Sequence, residues 1–275
     1  MCALAWLFCA GAHAAAPVDA YPDVAAAYWV EIDGRPLWAG HADERLPMAS
    51  LAKLMTALVA VEQGGLDDGA DVSAAAAAET GTRIGLRRGE RVARRDLLLA
   101  ALVRSANDAC RALADAVGAG AIDTGAKGTT AAARDPTAAF VARMNARAAS
   151  LGMANTHYAN PCGHDDAAQY TSARDLATLS HAVLAEPVLA DAVQRRDVRF
   201  ATASGRVLSA RTTNALLDGL AGARGLKTGT TPAAGRCLVA LVERDGRRVL
   251  AVLLHAPERW WDSVGLVELA FETPR

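Results

Sequence analysis

Three short patterns in this chain hold residue types suited to acyl transfer: Ser50-Leu51-Ala52-Lys53, Ser105-Ala106-Asn107 and Lys227-Thr228-Gly229, in that order. A serine hydroxyl is a poor nucleophile at neutral pH and needs a base within hydrogen-bond reach. Lys53 stands three residues after Ser50, so a helix opening at Ser50 places both side chains on one face, one turn apart. The helix N-terminus favours negative charge developing on the serine oxygen by roughly 0.3 to 1 kcal/mol. A lysine acts as a base only where burial or a neighbouring cation lowers its pKa, and Lys227 at a strand edge could be that cation. The set predicts an acylated Ser50 whose proton is moved by Lys53, Ser105 and Lys227.

Each piece alone has a plainer reading. Ser50 could cap a helix with Lys53 solvated beside it, Asn107 or Asp108 could cap the next helix, and Lys227-Thr228-Gly229 could end an edge strand. Only the ordered set outweighs these readings.

The elements that must position the set can be read from apolar periodicity. Val24 to Asp33 reads as a strand, Asp33-Gly34 as a turn and Pro36 to Ala39 as its partner. Leu51, Leu54, Met55, Leu58 and Val59 recur at helical spacing from Ser50 to about Gln63, and Gly64-Gly65 ends that helix. Further helices are predicted from about Arg95 to Val103, from about Asp108, and over Thr137 to Leu151, Ser172 to Leu184 and Glu258 to Phe271. Gly118 to Thr137 loses periodicity and reads as a flexible surface loop. Gly225 to Thr230, Arg236 to Arg244 and Arg247 to Ala256 read as strands. Strands at both ends with helices between imply an α+β fold, with one antiparallel sheet built from both termini and covered by helices.

The chain has 275 residues, 52% hydrophobic and 21% charged, enough for a folded core. A net charge of -1 without a basic stripe argues against nucleic acid as a partner. The histidines show no paired metal-ligand spacing, so neither a metal nor a cofactor is expected. Residues 1–16 read as a secretory signal, with an apolar run followed by Ala12-His13-Ala14, although no Lys or Arg precedes Arg35. Residues 17–275 are then expected to form one domain, periplasmic or secreted. Removal of the signal would leave Cys110, Cys162 and Cys237, an odd set that allows a single pair, although none is expected and the thiols read as small buried apolar groups.

The ordered trio is a signature of serine β-lactamases and penicillin-binding proteins. Around it, Pro47-Met48-Ala49-Ser50-Leu51-Ala52-Lys53-Leu54-Met55-Thr56, Ser105-Ala106-Asn107-Asp108-Ala109, Leu151-Gly152-Met153, Asn155-Thr156-His157-Tyr158, Asn160-Pro161, Ala173-Arg174-Asp175-Leu176 and Gly225-Leu226-Lys227-Thr228-Gly229-Thr230 resemble the low-molecular-mass penicillin-binding proteins. More narrowly, they resemble the D-alanyl-D-alanine carboxypeptidases, and the similarity covers most of residues 24 to 272. It implies a β-lactamase/transpeptidase-like fold, peptidoglycan stem peptides as substrate and β-lactam antibiotics as covalent inhibitors. It further implies that Ser50 is the nucleophile, Lys53 its base and Ser105 a proton relay. Asn107, Lys227, Thr228, Gly229 and Thr230 would bind substrate, with the backbone N–H groups of Ser50 and Thr230 as the oxyanion hole. Arg259 resembles an arginine of the closing helix, with a carboxylate role at most.

The chain departs from that pattern at His164, at Thr171-Ser172 and in the apparent insertion at Gly118 to Thr137. It ends directly after the closing helix, so no stable membrane anchor is expected. Three alternatives stay open. A β-lactamase of the type with a deacylating Glu is disfavoured, because no Glu occurs from Arg91 to Ala185. A D,D-endopeptidase would use the same residues on peptidoglycan cross-links, and a non-catalytic wall-binding protein would not need the polar set.

Overall fold

Two apolar runs near the end of the chain, Cys237 to Val242 and Val249 to Leu254, form the centre of the architecture. A computed structural model describes residues 19–123 and 135–274. The proposed signal at residues 1–16 therefore lies outside the described residues. Strands β1 (Ala27–Ile32), β2 (Arg35–Gly40), β7 (Ala223–Thr231), β8 (Gly235–Arg244) and β9 (Arg247–Leu254) make one antiparallel sheet in the order β2-β1-β9-β8-β7. The N-terminal hairpin thus pairs with the last strand.

Period-two alternation divides the sheet's side chains between two layers. Leu238, Ala240 and Val242 of β8, Val249, Ala251 and Leu253 of β9, and Tyr28, Val30 and Ile32 of β1 face helix α9 (Arg259–Glu272). Their neighbours Cys237, Val239, Leu241, Leu250, Val252, Leu254, Ala27 and Trp29 face the larger helical layer. The register sets Trp29 opposite Val252 and Val252 opposite Val239, so each row of partners presents one face. Burial on both sides explains why these strands read as continuous apolar runs.

Helix α1 (Ala52–Gln63) runs through the helical layer with every residue from Ala52 to Ala60 buried. It ends at Gly64, whose φ of 74° only glycine adopts without strain. Around it pack α3 (Arg94–Val103), α4 (Asn107–Asp123), α5 (Pro136–Ser150), α6 (Ala173–Ala185) and the shorter α7 (Pro187–Val193), while α2 (Ala74–Ala77) packs on α4 and α8 (Leu216–Gly219) on β7. Ser172 caps α6 by accepting from the Asp175 N–H at 3.2 Å, and Asp135 caps α5 with Pro136 at its first position.

Two expectations need correction, and two hairpins must be added. The stretch from Gly118 does not open a loop there: α4 continues to Asp123 and α5 starts at Pro136, while residues 124–134 lie outside the described residues. A side chain at Gly118 would sit 1.9 Å from the Pro136 carbonyl oxygen, so this glycine permits close helix packing and does not mark a break. The helix expected to open at Ser50 begins at Ala52, after a 3-10 turn over Ala49–Leu51. Two hairpins escaped the sequence reading, β3 (Gly69–Asp71) with β4 (Arg91–Ala93) and β5 (Asp197–Ala201) with β6 (Val207–Arg211), because each strand is too short to carry a clear period.

Candidate active site

The 3-10 turn places Ser50 between α1 and the edge strand β7. Ala49 sits at φ 48°, and neither Met48 before the turn nor Leu51 before α1 makes a side-chain cap bond. Ser50 is therefore no helix cap. Its hydroxyl instead accepts from the Lys53 Nζ at 2.9 Å. The backbone passes so close here that glycine is required on two sides. A Cβ at Gly163 would lie 2.0 Å from the Ala49 carbonyl oxygen, and one at Gly229 would lie 2.8 Å from the Ala49 Cβ and 3.0 Å from the Ser50 nitrogen.

Lys53 is fully buried. Besides Ser50 it donates to the Asn107 Oδ1 at 2.7 Å and to the Cys162 carbonyl oxygen. The orientation of the Asn107 amide is set by its own Nδ2, which donates to the Thr80 carbonyl at 2.7 Å. Burial lowers the Lys53 pKa to about 7, against a smaller upward pull from Glu79. The consequence follows from valence. A neutral amine keeps two N–H donors and one lone pair, and a carbonyl and an amide oxygen can only accept. With the donors committed to Asn107 and Cys162, the lone pair faces the Ser50 hydroxyl.

A second lysine serves a second serine. Ser105 stands between α3 and α4 at φ 63°, and this left-handed turn brings its Oγ to 2.8 Å from the Lys227 Nζ. Lys227, on β7, also donates to the Thr228 carbonyl at 2.9 Å. Burial, then repulsion from Lys53 and Arg259, holds its pKa well below the ordinary lysine value. The Thr228 and Thr213 hydroxyls lie 2.8 Å apart. Arg259 reaches from the start of α9 to the Gly229 carbonyl at 2.7 Å, the Thr230 Oγ1 at 2.8 Å and the Cys237 carbonyl at 3.2 Å, with its guanidinium 4.6 Å from the Trp260 ring. Structurally, then, Arg259 ties α9 to β7.

The fold thus brings Ser50, Lys53 and Asn107 into one hydrogen-bonded group, and Ser105, Lys227 and Thr228 into a second. Gly229 and Thr230 continue β7 past Ser50 and carry the Arg259 contacts. Electrostatic coupling between Lys53 and Lys227 joins the two groups.

Several supporting residues carried no assigned role in the sequence. The Asn160 Oδ1 accepts from the N–H groups of Cys162, Gly163 and His164 at 3.2, 2.8 and 3.0 Å, shaping the loop against Ser50. Buried Asp108 accepts from Ile84, Gly85 and Leu86, holding the loop whose Thr82 carbonyl receives the Asn107 N–H. Asn160-Pro161 and Asp108 were visible as motif neighbours. His164, a departure in the sequence, pairs with Glu79 at 2.7 Å, and no local signal joins residues 85 apart. The expectation of unpaired thiols was wrong: Cys110 and Cys162 form a disulfide with Cα atoms 5.9 Å apart, while Cys237 stays free and buried. Parity of the cysteine count could not reveal that α4 and the loop after Asn160 meet.

A match to the family described as D-alanyl-D-alanine carboxypeptidase spans residues 14–258. The chain belongs to the D-alanyl-D-alanine carboxypeptidase family. It is 30% identical over 284 residues to the D-alanyl-D-alanine carboxypeptidase of Streptomyces sp. (strain K15), covering 96% of this chain and 94% of the relative. It is 31% identical over 251 residues to the D-alanyl-D-alanine endopeptidase of Escherichia coli (strain K12), covering 88% and 75%. The crystal structure of the Streptomyces K15 DD-transpeptidase superposes with a TM-score of 0.81 at 29% identity, over 91% of this chain and 98% of that one. The fold is the α+β fold of that enzyme, and the family is one of peptidases, hence hydrolases. No single helix among the described residues is long and apolar enough to cross a membrane.

Proposed function

We propose that this carboxypeptidase-family member removes the terminal D-alanine of peptidoglycan stem pentapeptides through an acyl-enzyme on Ser50. The supporting observation is the Lys53 environment, where two obligate acceptors take its donors and the Ser50 hydroxyl is left at 2.9 Å. Neutral Lys53 takes the Ser50 proton as the oxygen attacks the carbonyl of the penultimate D-alanine. The developing oxyanion sits between the N–H groups of Ser50 and Thr230, each such donor worth about 2.7 to 4 kcal/mol. Ser105, backed by Lys227, passes a proton to the leaving amine. Asn107 holds the substrate amide, while Lys227, Thr228 and Thr230 receive the terminal carboxylate along β7. Water then hydrolyses the ester by the reverse proton path. A β-lactam would acylate Ser50 by the same route.

The site of action is proposed to be periplasmic or extracellular. A disulfide of this kind persists in oxidising compartments, which supports export. An endopeptidase reading is kept because a relative with 75% of its length covered bears that name. Release of free D-alanine from a pentapeptide is the expected result. Cleavage of cross-linked dimers without D-alanine release would assign the endopeptidase reaction instead, and failure of Ser50 to label with fluorescent penicillin would remove both.

A further inference from the structure

The Cys110–Cys162 disulfide lies beneath the proton-transfer group without touching its reacting atoms. Cys110 follows Asn107 by three residues on α4, one helical turn along the same face. Cys162 carries the carbonyl that accepts from Lys53, and its sulfur lies 3.8 Å from the Asn107 carbonyl oxygen. The next residue, Gly163, packs against Ala49 and Ser50. One covalent bond therefore joins the segments carrying both of the other Lys53 acceptors, which are 55 residues apart in the chain.

We propose that this disulfide is a positioning element of the catalytic machinery, fixing the Asn107 amide and the Cys162 carbonyl at the spacing that leaves Lys53 directed at Ser50. This inference rests on the reading of Lys53 as the base. The two cysteines are fully buried and form a small cluster with Ala101 of α3. Besides the bond itself, the loop is held here by the Thr56 hydroxyl on the Pro161 carbonyl at 2.6 Å and by Asn160. These contacts hold the loop on α1 and on itself; toward α4 it is tied by an ionic bridge, His164 to Glu79 at 2.7 Å and Glu79 to Arg111 of α4 at 3.7 Å, and covalently by the disulfide, whose sulfurs sit beside Asn107. When that tie is cut, Asn107 and Cys162 can separate, one Lys53 donor is freed toward Ser50, and water reaches a lysine whose basicity depends on burial.

The test uses the full chain with the double substitution Cys110→Ala and Cys162→Ala. The readout is the second-order rate of Ser50 acylation by a fluorescent penicillin between about pH 5 and 9. Loss of positioning should lower the rate at neutral pH by about tenfold or more. It should also move the rising limb of the pH profile upward by about one unit, as Lys53 returns toward its ordinary value. Val267→Ala, a cavity in α9 on the far side of the sheet, controls for lost stability and should leave the profile in place. A double variant with wild-type rate and pH midpoint would overturn the inference, as would a loss that Val267→Ala reproduces. Should the alanine pair not fold, wild-type protein refolded with a phosphine reductant gives the same readout. There the phosphine supplies two electrons and one water supplies two protons, so that the disulfide becomes two thiols and the phosphine takes the water oxygen as its oxide. Wild-type protein that does not label at all would instead refute the assignment of Ser50, so the two failures are distinct.

Discussion

The pH dependence of Ser50 acylation follows directly from the burial of Lys53. An exposed lysine with a pKa of 10.5 would be neutral in only about three molecules in ten thousand at pH 7, whereas a pKa of about 7 makes half of them neutral. Burial thus raises the available base on the order of a thousandfold. The expected profile, measured as labelling rate with fluorescent penicillin, rises about tenfold per unit below pH 7 and levels above it, with the midpoint belonging to the coupled lysines as a pair. The same shift has a stability consequence of fixed sign. Between about 7 and 10.5 the unfolded chain holds a proton that the folded chain has released, so stability rises with pH in that window. The penalty for burying the ammonium is full below about 7 and gone above 10.5. A labelling profile that is flat, or whose rise centres near pH 9 or above, would refute the argument that a desolvated Lys53 is the base.

Further substitutions probe the geometry around it. Ser50→Ala should abolish penicillin labelling while removing only one hydrogen bond, about 1 kcal/mol, or a few degrees in the thermal midpoint of a chain this size. Gly229→Ala puts a methyl group 2.8 Å from the Ala49 Cβ, and the displacement of Ser50 should slow labelling about a hundredfold while the fold remains by circular dichroism. Asn160→Ala orphans the N–H groups of Cys162, Gly163 and His164 and should destabilise by about 3 kcal/mol in urea unfolding, with slower labelling in the folded fraction. Nitrocefin should be turned over only slowly after acylation. Fast turnover would move the assignment toward a β-lactamase.

Much of the scaffold was legible because its signals are local. The α1 stripe of Leu54, Met55, Leu58 and Val59, the Asp33-Gly34 turn and the apolar runs of β8 and β9 are each local to one element or one hairpin, where backbone period and burial coincide. The hairpin of β5 and β6 was not legible, since five-residue strands with one buried face compete with ordinary loop composition.

The site divides along the same line. The residue types and order of Ser50, Lys53, Ser105, Asn107, Lys227 and Thr228 were determined by the sequence, because a chemistry needs its functional groups whatever holds them. What surrounds those groups was decided by tertiary structure alone. Asn107 meets Lys53 across 54 residues, His164 meets Glu79 across 85, and Cys110 bonds Cys162 across 52. No short-range pattern encodes such pairs, since packing of the helical layer brings them together. That packing also removes water from Lys53, and desolvation is a property of enclosure that no single residue carries.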